Sequence, residues 1–140
     1  MNNFSKINRF APALALALLL ATPLAARPPL KDVPEVFDRV LTGAIVNEIF
    51  TKCDSIGPRK LKATLFVLGT VNYAKKLGYT MDDMEELRSD PAQAKRLDRA
   101  VDAYLRANGV NKKKPETYCA LGEAEMEKKS LIGSFLKKVK

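Results

Sequence analysis

Any fold of this chain has to accommodate two cysteines, Cys53 and Cys119, separated by 65 residues and alone of their kind among 140. That separation excludes a CxxC redox pair, and two thiols by themselves cannot make a closed zinc site. An even count in an exported chain reads as a disulfide, because oxidising compartments form and keep such bonds. One intramolecular bridge is therefore expected. Closing a loop of that length contributes about 4 kcal/mol in the chain-entropy account.

Export is read from residues 1–26, which have the composition of a cleaved signal peptide. Met1–Phe10 carries Lys6 and Arg9 with no acidic residue, and Ala11–Leu20 is almost wholly Ala and Leu. Thr22-Pro23-Leu24-Ala25-Ala26 then supplies a proline and small residues before a cut after Ala26. The apolar run Phe10–Ala26 is 17 residues long and is interrupted by Pro12 and Pro23. It falls short of the ~20 apolar residues of a spanning helix. Cleavage leaves residues 27–140, a single periplasmic domain of 114 residues with 22 basic and 16 acidic side chains. The resulting net charge of about +6 favours solubility and acidic surfaces. Nucleic acid is not expected as a partner, since no recognition module is present.

Along the mature chain, Arg27–Lys31 with Pro28-Pro29 reads as an extended, solvated lead-in. Asp32 is the expected N-cap of a first helix, with Pro34 in its first turn. Val36, Phe37, Val40, Leu41, Ala44, Ile45, Ile49 and Phe50 recur at helical spacing up to about Cys53. Pro58 is the expected start of a second helix ended by Gly78. Its charges sit at the ends and its middle is nearly uncharged, with a seam of Leu61, Leu65, Leu68 and Val71 or Asn72 broadened by Phe66, Val67, Tyr73 and Leu77, the pattern of a central helix buried on several sides. Thr80-Met81-Asp82-Asp83 resembles a capping box that opens a short third helix. Asp90-Pro91 restarts the chain as a fourth helix with Ala94, Leu97, Val101, Tyr104 and Leu105 on its buried stripe, stopped by Asn108-Gly109. Pro115 opens a last long helical region, and Ser130–Lys140 reads as a separate C-terminal helix. No run alternates as a strand does. The expected fold is all-α, a small irregular bundle of four to five helices held by one disulfide.

The chemistry is sparse. The chain has no histidine, which removes Ser-His-Asp and Cys-His catalysis, HExxH zinc sites and His-ligated haem together. No catalytic residue, metal ligand or cofactor is expected. Asp82, Asp83, Glu85 and Glu86 are better explained by the positive end of a helix dipole than by a cation. Glu123, Glu125 and Glu127 are expected to be solvated, as is the basic loop Lys112-Lys113-Lys114. Tyr73, Tyr79, Tyr104 and Tyr118 are expected to pack with their hydroxyls outward.

One segment invites a functional reading. In a helical Ser130–Lys140, the side chains of Leu131, Ile132, Phe135, Leu136 and Val139 would share one face flanked by lysines. Such a face docks on the domain's own core, which is favoured, on a partner protein of the envelope, or on a membrane surface. Together these features describe a non-enzymatic interaction or accessory protein of the cell envelope. A carboxylate-dependent enzyme is the least favoured alternative.

Cys53, the stretch from Tyr118 through Glu125 and the stretch from Ser130 through Leu136 carry a resemblance. The chain resembles a family of unknown function made of short exported alphaproteobacterial proteins, over most of residues 32–140. Some members bear a respiratory NADH dehydrogenase label, which the resemblance does not extend to chemistry here. A two-iron cluster needs four thiolates, and this chain has two cysteines. In size, export and a single bridge the chain is also similar to small periplasmic acid-stress chaperones, a likeness of architecture alone.

Overall fold

A computed structural model describes residues 27–139. The expected signal peptide and its cleavage point lie outside the described residues.

Among the described residues five α-helices form: α1 (Pro34–Lys52), α2 (Lys60–Lys76), α3 (Met81–Ser89), α4 (Pro91–Ala107) and α5 (Pro115–Glu127). Two short strands, β1 (Ile56–Pro58) and β2 (Leu136–Lys138), pair antiparallel with Ile56 opposite Lys138 and Pro58 opposite Leu136. The helical bundle and the disulfide are as the sequence led us to expect. Several boundaries are not. Asp32 does not cap α1; it closes a 3-10 turn over Leu30–Asp32, and Val33 stands at the cap without a side-chain hydrogen bond. The lead-in is not wholly solvated either, because Leu30 is buried against Val33 and Val36. Pro58 does not start α2. Its ring lies in β1, where the proline's missing N–H costs little, and α2 begins two residues later.

The proposed caps of α3 and α4 form as read. Thr80 Oγ1 accepts the Asp83 N–H while the Asp83 carboxylate accepts the Thr80 N–H. That backbone hydrogen bond, followed by one from the Thr80 hydroxyl, holds the Asp83 carboxyl below its usual pKa. Asp90 accepts the Ala92 N–H and Pro91 occupies the first helical position. Gly78 and Gly109 follow their helices with φ of +88° and +78°, a left-handed conformation that an L side chain resists.

The main core is built by α1, α4 and α5. Ile45, Ile49, Val101, Leu105, Tyr118 and Leu121 meet there, and the Cys53–Cys119 bridge joins the end of α1 to α5 with the Cα atoms 5.1 Å apart. Gly122 lets α5 approach closely: a Cβ there would lie 2.5 Å from Ile56 Cδ1 and 2.8 Å from Ile49 Cγ2.

The expected C-terminal helix is absent. Residues 130–138 instead form a turn, a 3-10 turn over Gly133–Phe135 and strand β2. A buried polar knot redirects the chain. Glu125, expected to be solvated, is 4% exposed and accepts the Ser130 hydroxyl, and Ser130 Oγ in turn accepts the Gly133 N–H. Gly133 packs against the Glu125–Met126 peptide, where a Cβ would collide with backbone. The chain then runs back along β1, and the Val139 N–H donates to the Ser55 carbonyl.

A second, smaller cluster holds Leu30, Val33, Val36, Ala74 and Tyr79. It fastens the lead-in to the C-terminal end of α2. The Tyr79 hydroxyl, expected to face outward, donates to the Pro28 carbonyl at 2.6 Å. Arg27 stacks over the Tyr79 ring and pairs with Asp83.

Candidate functional site

The helix expected at the centre of the molecule lies at its edge. Of α2, only Ala74 is fully buried. Its two ends are anchored. Near the start, the Arg59 guanidinium donates to the Leu136 carbonyl and the Phe66 ring sits 4.8 Å from that of Phe135. Near the end, Ala74 and Tyr73 join the smaller cluster. The outer face is bare: Leu61 is 75% exposed, Leu65 58% and Leu68 53%. An uncharged middle with a broad apolar seam reads as a buried helix, but it does not say whether the domain has enough other elements to surround it. Here α1, α4, α5 and the C-terminal segment supply most of the main core, and α2 adds only the half-buried Ala63 and Phe66 at its edge.

Between the two clusters this arrangement leaves an apolar groove of about 470 Å³. α1 supplies Val36, Val40 and Gly43, α2 supplies Phe66, Val67 and Val71, and α3 and α4 supply Leu87 and Leu97. The volume falls in the ~300–1,000 Å³ range of small-molecule sites. The lining includes Lys31, Arg39 and Arg88 and no carboxylate. Arg39 lies with its guanidinium 5.6 Å from the Phe66 ring and 5.2 Å from that of Tyr73. Such cation–π contacts hold the charge beside the rings. Arg88 is held in a two-point contact by Glu85, at 2.7 and 2.9 Å, whereas Arg39 makes no ion pair among the described residues. At the neighbouring end, the Arg96 guanidinium covers the Phe37 ring at 3.9 Å.

The residues singled out from the sequence fall elsewhere. Ile132, Phe135 and Leu136 are buried in the main core, while Leu131 and Val139 are exposed. The five do not share a face, because the segment is not helical. The acidic group on α3 is engaged locally, Asp83 with Thr80 and Arg27, Glu85 with Arg88. Lys112 pairs with Asp102. Among the described residues no three Cys, Asp or Glu side chains converge as a metal site would require, and no helix is long and apolar enough to cross a membrane.

The sequence reading missed the groove entirely. Val40, Val67 and Val71 were legible as apolar helix positions, but their failure to meet a partner depends on where α2 docks. A glycine at position 43 within the α1 stripe was the one local signal: nothing lies within 4 Å of where its Cβ would be.

No curated protein and no solved structure matches the chain. The profile of one family, described as a family of unknown function (DUF5333), matches residues 28–137, from the lead-in that floors the smaller cluster to the second residue of β2. The chain belongs to that family.

Proposed function

We propose that this is an exported, non-enzymatic accessory protein of the cell envelope that works by binding an apolar group in the groove between α1, α2, α3 and α4. The groove is the observation that carries the reading: an open apolar site of ligand size, bordered by cations, that the side chains of the described residues leave unfilled. Support for a non-enzymatic role comes from the same lining. It holds no carboxylate or thiol, and its one hydroxyl, on Thr70, is donated to the Phe66 carbonyl. The chain also lacks histidine, the commonest general base. Support for export comes from the composition of residues 1–26 and from a disulfide, which persists in oxidising compartments.

Two measurements on protein recovered from its own cells test the reading. Fractionation with N-terminal sequencing should find the protein outside the cytoplasm and beginning at Arg27. Nile red, an uncharged apolar dye, should gain fluorescence with the purified protein and lose it with Gly43→Leu, which fills the groove from a position with free space. A cytosolic protein that keeps Met1 would refute export, and a dye response indifferent to Gly43→Leu would refute the groove.

A second reading, attachment to an anionic membrane surface, is favoured by the outer face of α2. That helix carries Lys60, Lys62, Lys75 and Lys76, no acidic residue, and exposed leucines. Vesicle binding that needs anionic lipid and weakens with salt would distinguish it.

A further inference from the structure

The groove's borders define its ligand more narrowly than its apolar walls do. We infer that it takes a long-chain fatty acid, with the acyl chain between α1 and α2 and the carboxylate on Arg39. This rests on the groove being a binding site, and it adds the class of ligand.

The walls exclude most other chemistries. Val36, Val40, Val67, Val71, Leu87 and Leu97 offer contact to a hydrocarbon and no hydrogen bond to a sugar, a base or a peptide. Nor does backbone compensate along the middle of the groove, since Val40, Val67, Val71 and Leu97 stand in helix interiors whose amides and carbonyls are bonded within each helix. A ligand rich in polar groups would leave them unpaired on burial, a cost that a plain chain avoids. The volume of about 470 Å³ suits one chain and leaves no room for the pair carried by a phospholipid.

The charge at the border sets the head group. Three cations and no carboxylate line the groove, and of these only Arg88 is paired among the described residues, so a cationic head would meet repulsion from Lys31 and Arg39. The cations are not equivalent. The charge of Arg88 is already paired with Glu85 through Nε and Nη2, which leaves Arg39 as the guanidinium of the lining with no carboxylate partner among the described residues. Arg39 is half-buried, and its contacts with Phe66 and Tyr73 hold it at the groove rather than in open solvent. One guanidinium beside a fatty chain matches a monoanion, and its paired N–H groups match the two oxygens of a carboxylate. Lys31, also in the lining, adds a second positive charge without a carboxylate partner among the described residues.

The test uses Nile red displacement from the full protein as recovered, with probes of one tail length and opposite charge. Dodecanoate should displace the dye, and dodecyltrimethylammonium should do so at least ten-fold less well. Arg39→Met, which keeps an apolar stem at that position, should weaken dodecanoate by ten-fold or more relative to dodecanol, an uncharged probe of the same tail length measured on the same variant. Gly43→Leu should abolish displacement by both. If dodecanoate and the cationic probe compete equally, or if Arg39→Met has no effect on either, the fatty-acid assignment fails while dye binding keeps the groove itself intact as a site. Absence of dye binding would instead remove the groove reading beneath it. A photo-crosslinking residue at Val40 that joins residues 10–26 of the same chain, or a second copy, would also overturn the assignment.

Discussion

Gly122 and Gly43 sit in neighbouring helices and should respond oppositely to the same methyl group. At Gly122 the added carbon would press on Ile49 and Ile56, both almost fully buried and without room to retreat. Gly122→Ala should therefore lose about 1–3 kcal/mol, the usual effect of overpacking. At Gly43 and Gly69 a Cβ meets nothing within 4 Å, and both lie inside helices. Each Gly→Ala change there should gain roughly 0.5–1 kcal/mol by restricting the unfolded chain. Urea midpoints at constant m-value would show the difference in sign. A second residue-scale effect belongs to Tyr104. Burial first, and then its interaction with the Glu125 carboxylate, push its phenol from 10.0 to about 12. A raised folded pKa means that the unfolded chain releases the proton more easily. The contribution is thus complete below about pH 10 and is lost as pH rises through about 12. In Glu125→Gln the phenolate absorbance of Tyr104 should appear at lower pH than in the native protein, though still above 10.0, because burial remains.

The elements around the disulfide show how a local pattern can be right while its continuation is not. α1, α3, α4 and α5 were legible because each has a proline or a capping residue near its start and an apolar stripe at helical spacing. The last segment has the same stripe, yet it forms a turn and a strand. Its redirection depends on a side chain five residues upstream, Glu125, closing on Ser130, and on Gly133 fitting against the peptide after Glu125. Within the segment itself only Gly133, a poor helix residue, marks the change, and nothing there points to Glu125. β1 was hidden for a related reason: three residues ending in proline do not alternate long enough to be recognised, and they pair only with a strand that also went unread. The bridge and the C-terminal turn now make separate predictions. Cys53→Ser and Cys119→Ser should each remove about 4 kcal/mol by the loop-entropy account, and the double variant should lose little more than either single one. Thermal melts of the three variants, with thiol titration of the native protein, check both statements. Ending the chain after Lys129 removes Ile132, Phe135 and Leu136 from the main core. At ~1.5–3 kcal/mol for each buried side chain, the truncated protein should fail to fold cooperatively.

At the scale of the whole molecule, what the sequence concealed is the position of α2, and the candidate site follows from that position. Composition marked α2 as a helix with charged ends and a nearly uncharged middle, and helices of that kind are normally enclosed. Enclosure, however, is a property of the assembly. α1 can bury one stripe against α4 and α5 and still present Val36, Val40 and Gly43 to the groove, so α2 meets α1 across a gap instead of a packed seam. The edge position predicts a pattern of tolerance that a central helix would not show. Replacing Leu61, Leu65 and Leu68 together by lysine removes side chains already more than half exposed, so little burial is lost. Changes at such positions usually stay within about 0.5 kcal/mol each. The triple variant should therefore fold, keep its helix content, and melt close to the native protein. Phe66→Ala, one residue from Leu65, should behave differently. Its ring packs on Phe135 and carries the Arg39 guanidinium, and losing a large aromatic from such a site costs about 3–5 kcal/mol when it is fully buried and correspondingly less here, where it is half-buried. Circular dichroism melts of the two variants decide the matter. If the triple lysine variant unfolds, α2 is enclosed in solution and the groove is closed with it; if only Phe66→Ala is destabilised, α2 is held from one side and its apolar outer face is free to bind.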